Sequence, residues 1–277
     1  MHPRYETRLR GRALALRDLG RYAEAERDLR EVIRISEKLH TTQHQSYADS
    51  IAELAVIYHD TGRFTEAEEL YAEALAISEA TSGTDSLSYV RQTNNLGYLY
   101  EDMGAYDRAL GFYRTSLKVR KMVFSDNPAS ISSSQGNLAR LLAKMGELSE
   151  AEQLLQQAIG TDNEYGRSNL YNRVTQLAIE LGQASGRGSC NNTLAANQNI
   201  VTDLREQPED SWRRMQAESW IGQLALRCGA NTLAEELLSG ALQKADLIYS
   251  AGSQGQRAMH EHIKPLLRNL SVTDDVE

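Results

Sequence analysis

The stretch 62–80, GRFTEAEELYAEALAISEA, decides the architecture of the chain because close variants of it recur at a fixed spacing. Related segments begin with glycines at positions 20, 104 and 146, so consecutive copies start 42 residues apart. Four copies at one spacing predict an array of repeated structural units. Each glycine is followed by an alanine after five residues (Ala25, Ala67, Ala109, Ala151) and by a large aliphatic residue after thirteen (Ile33, Leu75, Leu117, Ile159).

A second apolar pattern precedes the turn glycine in the second, third and fourth copies. In the second copy Leu54 lies eight residues before Gly62, the small Ala55 follows at once, and Tyr58 lies four before the glycine. Apolar positions three and four residues apart mark one face of a helix. Each unit is therefore predicted to be helix A, a glycine turn and helix B, and such a pair must stack on its neighbours to bury its apolar face.

The pattern assigns a role to each position of the opening stretch. Gly62 is expected to form the turn, Ala67 to contact the paired helix, and Leu75 to lie in the core. The glutamates are expected to form mostly the outer, solvated face of helix B. They are Glu66, Glu68, Glu69 and Glu73.

Regularity weakens after residue 165. The last copy keeps the spacing, with Gly229, Ala234 and Leu242. The fifth unit is expected to be degenerate, with a widened and mobile turn near Ser185, because three glycines and two asparagines cluster between 182 and 192. A domain boundary at this point is the alternative. The expected divisions are four regular repeats over 1–165, two divergent repeats of the same solenoid over 166–250, and a C-terminal capping helix with an acidic tail over 251–277.

Composition limits the classes of partner. The chain has 277 residues, 41% of them hydrophobic, which is enough for a sizeable core, and its net charge is −8. The negative charge disfavours a nucleic-acid partner. No window reaches the about 18 apolar residues of a membrane-spanning helix. Cys190 and Cys228 form no CxxC pair, so free thiols and a cytoplasmic location are predicted.

The turn glycine, the alanine five residues later and the Leu-small-x-x-Tyr pattern together resemble the tetratricopeptide repeat. The 42-residue unit is longer than the usual 34 or so and is similar to the kinesin-light-chain type, as the linker FSDNPAS at 124–130 illustrates. The resemblance covers residues 5–160 strongly and 168–250 weakly. It implies an all-α, tetratricopeptide-type right-handed superhelical solenoid of antiparallel helix pairs.

The resemblance also implies that the A helices line a concave groove for a protein or peptide partner. The expected groove residues of the third and fourth units are Arg91, Asn94, Asn95 and Tyr98, followed by Asn137, Arg140 and Lys144. Arg140 and Lys144 with Tyr98 suit an acidic peptide, or one that is aromatic and acidic.

Three of these residues also correspond to positions that in certain tetratricopeptide domains hold the C-terminal carboxylate of a peptide. They are Arg91, Asn95 and Asn137, and charge-assisted bonds from such donors fit that role. The match is partial, because the neighbouring units lack the Lys or Arg that the clamp needs. Bonding between neighbouring helices is the alternative role of the asparagines. The positions that lack a cation carry Asp49, Glu53, Asn172 and Gln176.

No metal site or cofactor is predicted. His260 and His262 point about 200° apart on a helix, and His40 and His44 have no Cys or carboxylate at a useful spacing. The expected function is a non-catalytic protein–protein interaction scaffold. The alternative is the docking or regulatory region of a larger bacterial signalling enzyme, a protein kinase or a protease. The sequence does not predict an oligomeric state.

Overall fold

The computed structural model describes residues 3–39, 42, 44–164, 169–207 and 212–273. Within these ranges the backbone forms helices and no strand, as the repeat pattern predicts. His40 and the last four residues of the expected acidic tail lie outside the described residues. The helices are α1 (Pro3–Asp18), α2 (Tyr22–Leu39), α3 (Gln45–Asp60), α4 (Phe64–Ser82), α5 (Leu87–Asp102), α6 (Tyr106–Val123), α7 (Pro128–Met145), α8 (Leu148–Glu164), α9 (Leu170–Gln183), α10 (Arg187–Ala196), α11 (Gln198–Arg205), α12 (Trp212–Arg227), α13 (Asn231–Ile248) and α14 (Gln254–Thr273).

The chain divides into two compact units. The first comprises Met1–Ser125 with Ser253–Gly255, and the second comprises Asp126–Gly252 with Gln256–Glu277. In the first unit each helix from α1 to α6 contacts the next one along the chain. In the second unit α7 pairs with α8 and α12 with α13, while α9 contacts α7, α8, α10, α11 and α12. The divisions expected at residues 165 and 250 concern repeat regularity and stay predictions.

Glycines in the left-handed backbone region close the turns between paired helices. A residue with a Cβ avoids this region, and the predicted glycine turns are confirmed. At the second turn the backbone N–H of Arg63 donates to the carbonyl oxygen of Tyr58 at 2.7 Å, which is how a helix C-terminus is closed after a left-handed glycine. The five turn glycines are Gly20 (φ 69°), Gly62 (φ 74°), Gly104 (φ 73°), Gly146 (φ 87°) and Gly229 (φ 74°).

Helix B buries the positions five, nine and twelve residues after the turn glycine. In α4 these are Ala67, Tyr71 and Ala74, which are at most 1% exposed. Leu75, at position thirteen, is only half-buried, so its prediction as a core residue is wrong. Positions five, nine and twelve fall within about 60° around the helix axis, and position thirteen lies about 40° beyond position nine, at the edge of the buried face. Burial at this edge varies between repeats, since the equivalent Leu117 of α6 is 7% exposed.

The predicted buried face of helix A is confirmed. Leu54, Leu96 and Leu138, at equivalent positions of three repeats, are 5%, 2% and 3% exposed. The small residue after the leucine permits close packing, most clearly at Gly97. A Cβ atom at Gly97 would lie 2.6 Å from the ring of Tyr113, so the distance between α5 and α6 depends on the missing side chain.

The fifth unit departs from the two-helix plan. Its helix A, α9, ends at Gln183, and the chain turns through Gly186, whose φ is 86°. In place of a single helix B the chain forms α10 and α11, which have 10 and 8 residues.

A disulfide joins Cys190 of α10 to Cys228, the residue that follows α12. The prediction of free thiols is therefore wrong. The two cysteines are 38 residues apart and belong to no local motif. Their pairing arises because the fold brings α10 back to the end of α12, where the two Cα atoms lie 5.6 Å apart.

The last helix, α14, contacts both helices of the last pair, and its role as a capping helix stays a prediction. Its Leu270 packs against Ala225 of α12 and Ala234 of α13, and Ile263 is fully buried. Pro265 lies inside the helix. Among the helices described, none combines the length and the apolar character needed to cross a bilayer.

Candidate functional site

The expected groove residues are divided between the two compact units. Four of them lie on α5 in the first unit and three on α7 in the second. All of these side chains are at least partly exposed. The residues on α5 are Arg91, Asn94, Asn95 and Tyr98, and those on α7 are Asn137, Arg140 and Lys144.

Three arginine–carboxylate ion pairs and one histidine–carboxylate hydrogen bond join consecutive A helices of the first unit, and we call these four contacts the inter-repeat ladder. Arg17, three residues before its turn glycine, places Nε 2.9 Å from Oδ2 of Asp60, two residues before the next turn glycine. His59 and Asp102 repeat this relation one unit later, with Nε2 and Oδ2 2.7 Å apart. The ladder consists of Arg10–Glu53, Arg17–Asp60, Asp49–Arg91 and His59–Asp102.

The ladder changes the role expected for Arg91. Its guanidinium is bonded to the carboxylate of Asp49, so a carboxylate ligand at Arg91 would have to compete with that bond. Tyr98 also has a neighbour within the unit, because its ring lies edge-on to the ring of Tyr113 with centroids 5.7 Å apart. In the first unit these side chains therefore join repeats or helices of a pair.

Tyrosines of helix A add a second link between repeats of the first unit. The hydroxyl of Tyr100 donates to Oε1 of Glu68 on the preceding helix B at 2.6 Å, and the guanidinium carbon of Arg108 lies 3.8 Å from the centre of its ring. Burial and the bond to Glu68 raise the pKa of Tyr100 to about 12. Glu68, expected to be solvated like its neighbours, is therefore a partner in an inter-repeat contact.

In the second unit α9 lies between α7 and α12 and contacts both. Lys144 at the end of α7 and Trp220 on α12 meet across it, with the ammonium nitrogen 5.6 Å from the centre of the indole ring. Nη1 of Arg140 donates to Oδ1 of Asn137 at 3.3 Å. We call these residues, together with Gln176 and Glu180 of α9, which contacts both α7 and α12, the second inner face.

The acidic residue of the second inner face is held by amides. One oxygen of Glu180 accepts a hydrogen bond from Nε2 of Gln176 at 2.9 Å, and the other accepts one from Nδ2 of Asn197 at 3.0 Å. Its negative charge is thus stabilised by neutral donors. Arg140 and Lys144 give this face a net positive charge despite Glu180.

Sequence reasoning missed Trp220, although a signal was present. Trp220 lies nine residues before Gly229, as Asn137 lies nine before Gly146. Counting the same position in the sixth unit would have placed this side chain on the same face as Asn137. What spacing alone cannot give is the contact of Trp220 with Lys144, because it depends on the placement of three helices.

The described histidines bind separate partners. Nε2 of His260 lies 2.6 Å from Oδ1 of Asp246 on α13, and Nε2 of His262 lies 2.9 Å from Oε1 of Gln223 on α12. His44 accepts a hydrogen bond from the backbone N–H of Ser46 at the start of α3. Across the described part of the chain, no group of three or more His, Cys, Asp or Glu side chains is arranged to hold a metal ion.

Comparisons with known proteins agree with this architecture. The sequence profile of the tetratricopeptide repeat matches residues 6–80, 47–122 and 89–164. No curated protein sequence matches the chain. Kinesin-light-chain-type, nearly identical TPR-like repeats from Podosopora anserina share 24% identity, with 74% of this chain and 99% of that chain covered and a TM-score of 0.58.

Two further solved structures share the fold at lower identity. Aspartyl phosphate phosphatase F from Bacillus subtilis has 12% identity and a TM-score of 0.71, covering 88% of this chain and 60% of that one. The Rap conjugation gene regulator of the plasmid pLS20, solved in complex with the Phr* peptide, has 16% identity and a TM-score of 0.66, covering 90% and 64%.

Proposed function

Because the chain belongs to the tetratricopeptide repeat family, we propose that it is a non-catalytic interaction scaffold. We propose further that its second inner face binds an acidic peptide segment of a partner protein. The observation that carries the proposal is the contact of one cation with an aromatic ring at that face, with a second cation on the same helix. Lys144 lies 5.6 Å from the ring of Trp220, and Arg140 lies one helical turn before Lys144 on α7.

The chemistry of the second inner face suits an extended acidic peptide. Arg140 and Lys144 can form charge-assisted hydrogen bonds with Asp or Glu side chains. The amides of Asn137 and Gln176 can bond the peptide backbone. Trp220 offers apolar surface to an aromatic or aliphatic side chain. The acidic group at this face, Glu180, already has both oxygens bonded to amides.

The relatives support peptide binding as a use of this fold. The pLS20 regulator was solved with a bound Phr* peptide, and another Rap protein was solved with the competence and sporulation factor. Their identities to this chain are 16% and 10%, so the likeness supports a peptide as the class of ligand and leaves its sequence to experiment.

The face on α5 is the weaker candidate. Asn94, Asn95 and Tyr98 are half-buried there, and Arg91 is bonded to Asp49. A peptide carboxylate would gain little from Arg91 after displacing Asp49, because one ion pair would replace another. We propose that α7, α9 and α12 contribute the larger share of partner recognition, because they combine Arg140 and Lys144 with the ring of Trp220.

The proposal is tested with a fluorescent Asp/Glu-rich peptide that contains one Phe, and with its Asn/Gln counterpart. We expect fluorescence anisotropy to show preferential binding of the acidic peptide and weaker binding as salt is added. Replacing both Arg140 and Lys144 by alanine should weaken binding about tenfold or more, since hydrogen bonds to charged groups contribute about 1.5–3 kcal/mol.

A matched control removes two positive charges elsewhere in the second unit. Lys264 and Arg268 lie exposed on α14, and their double alanine variant should bind the acidic peptide as the wild type does. Equal binding of the acidic and amide peptides, or equal loss in both double variants, would refute the assignment to the second inner face.

The docking region of a larger signalling enzyme is the alternative form of the same proposal. Both forms use the same peptide-binding face, but in the alternative form peptide binding changes a linked catalytic activity. An assay of the full-length gene product with and without peptide would decide between them.

We retain the cytoplasm as the proposed location. Disulfides are rare in a reducing cytosol, so the bond between Cys190 and Cys228 counts against this location unless the bond is a transient, redox-sensing one.

A further inference from the structure

The disulfide holds a helix that has few other tertiary contacts, among them Leu194 against the core of the second unit. Of the ten residues of α10 only Cys190 is buried, at 5% exposure. The helix contains Gly188, Asn191 and Asn192, which are poor helix formers, and its N-cap Gly186 makes no side-chain capping bond. A helix of this length is marginal in water without tertiary contacts.

The next helix along the chain is anchored independently. In α11, Ile200, Val201 and Leu204 are all buried in the core of the second unit. The loss of the disulfide would thus leave α11 in place. The segment at risk is α10 and the junction at Asn197 that connects it to α11.

That junction contacts the second inner face. Nδ2 of Asn197 donates to Oε2 of Glu180, and also to the carbonyl oxygen of Thr193 near the end of α10. If α10 unfolds, the Asn197 side chain loses its bond to Thr193, and Asn197 is then held only from the α11 side, where its carbonyl oxygen accepts from the backbone N–H of Ile200. One oxygen of Glu180 then loses a donor, which leaves the negative charge of α9 less compensated in the unit that carries Arg140 and Lys144.

We propose that Cys190 and Cys228 form a reversible redox site that sets the peptide affinity of the second inner face by ordering or releasing α10. A dithiol reductant supplies two electrons and two protons: the S–S bond breaks, two thiols form, and the reductant becomes a disulfide. Oxidation by a small disulfide reverses the exchange. The oxidised form is the high-affinity form. The part of this proposal that concerns peptide affinity rests on the proposed function. The part that concerns the order of α10 does not.

A reductant can reach the buried sulfurs of Cys190 and Cys228 if the segment around α10 opens locally. Residues 185–189, 191 and 192 are exposed, so a local opening of this segment exposes little apolar surface and requires little free energy. Cys228 lies next to the turn glycine Gly229, against which Arg187 of α10 packs. Opening of α10 at its N-terminal end therefore exposes Cys190 and removes Arg187 from the turn beside Cys228.

The test uses the full chain with and without dithiothreitol, and trapping with N-ethylmaleimide to count reduced cysteines by mass. Hydrogen–deuterium exchange reports the order of α10, and anisotropy with the Asp/Glu-rich peptide reports affinity. On reduction we expect faster exchange confined to residues 187–197 and peptide binding weaker by about two- to tenfold. Both changes should reverse on reoxidation.

Two variants test the same proposal without the addition of a reductant. Replacing both Cys190 and Cys228 by serine should reproduce the reduced state and remove the response to dithiothreitol. Asn197→Ala leaves the disulfide intact and should lower peptide affinity by a similar factor without changing the exchange of residues 187–192. This second variant separates the effect at Glu180 from general destabilisation.

Three results would overturn the proposal. In the first, dithiothreitol makes the two cysteines reactive to N-ethylmaleimide only after global unfolding. In the second, hydrogen–deuterium exchange of residues 187–197 stays unchanged after complete reduction. In the third, exchange increases but peptide affinity does not change. The exchange measurement needs no ligand. Absence of peptide binding in both redox states would therefore count against the proposed function, while exchange would still decide whether α10 responds to reduction.

Discussion

A single methyl group at Gly97 should test how closely the helices of a repeat are packed. In Gly97→Ala the new Cβ would lie 2.6 and 2.7 Å from two carbons of the Tyr113 ring, whereas carbon atoms in contact prefer about 3.5–4.0 Å. The ring would have to move by about 1 Å. Tyr113 is 1% exposed, and its hydroxyl donates to Oε2 of Glu101 at 2.9 Å. The movement of its ring would therefore disturb a buried hydrogen bond.

The magnitude follows from two opposing effects. Overpacking of this kind costs about 1–3 kcal/mol, while the replacement of glycine by alanine inside a helix stabilises by about 0.5–1 kcal/mol. Gly111→Ala in α6 supplies the control, because nothing lies within 4 Å of a Cβ at that position. The difference in unfolding free energy between the two variants isolates the overpacking cost of about 1–3 kcal/mol.

Urea unfolding followed by far-ultraviolet circular dichroism measures this difference. Repeat arrays do not always unfold in two states, so the midpoints are compared only if the slopes agree. We expect the midpoint to fall for Gly97→Ala and to rise slightly for Gly111→Ala. A midpoint for Gly97→Ala equal to or above that of the wild type would refute the close approach of α5 and α6.

Two further predictions concern the turns and the links between repeats. Gly146→Ala should destabilise the chain by about 1–2 kcal/mol in urea unfolding, because φ is 87° there and the site is otherwise open. The control Gly160→Ala, in open space within α8, should not destabilise the chain. Similar unfolding midpoints for the two variants would contradict this prediction. Because the pKa of Tyr100 is raised to about 12 from an ordinary value of about 10, its contribution to stability is complete below pH 10 and is lost as the pH rises toward 12. Unfolding free energies measured across that window should fall more steeply for the wild type than for Tyr100→Phe, and parallel curves would contradict the assignment.

The backbone of the repeats was predictable because it depends on residues close in sequence. A glycine that closes a turn and an alanine that packs five residues later leave a mark that repeats every 42 residues. The error at Leu75 arose because large size was taken as the sign of burial. Position thirteen lies at the edge of the buried face, where Leu75 is half-buried and the equivalent Leu117 is buried, while the smaller Ala74 lies at the centre of that face.

The site was only partly predictable, because its contacts join residues that no local pattern connects. The repeat spacing places Arg140 and Lys144 on the exposed side of α7, and the same count reaches Trp220. The disulfide between Cys190 and Cys228 depends on where the irregular α10 comes to lie. The bond of Asp49 with Arg91 joins equivalent positions 42 residues apart, so comparison of charges at equal positions would have indicated it.

The inter-repeat ladder has a consequence for the order of the repeats. The frame of glycine and alanine is the same in each, so by backbone fit alone any repeat could follow any other. Three residues before the turn glycine the first three repeats carry Arg17, His59 and Glu101, and two residues before it the second and third carry Asp60 and Asp102. Exchanging the second and third repeats would bring Glu101 opposite Asp60, two carboxylates in a largely buried place. The shared frame makes the repeats stack, and the charges make them stack in one order.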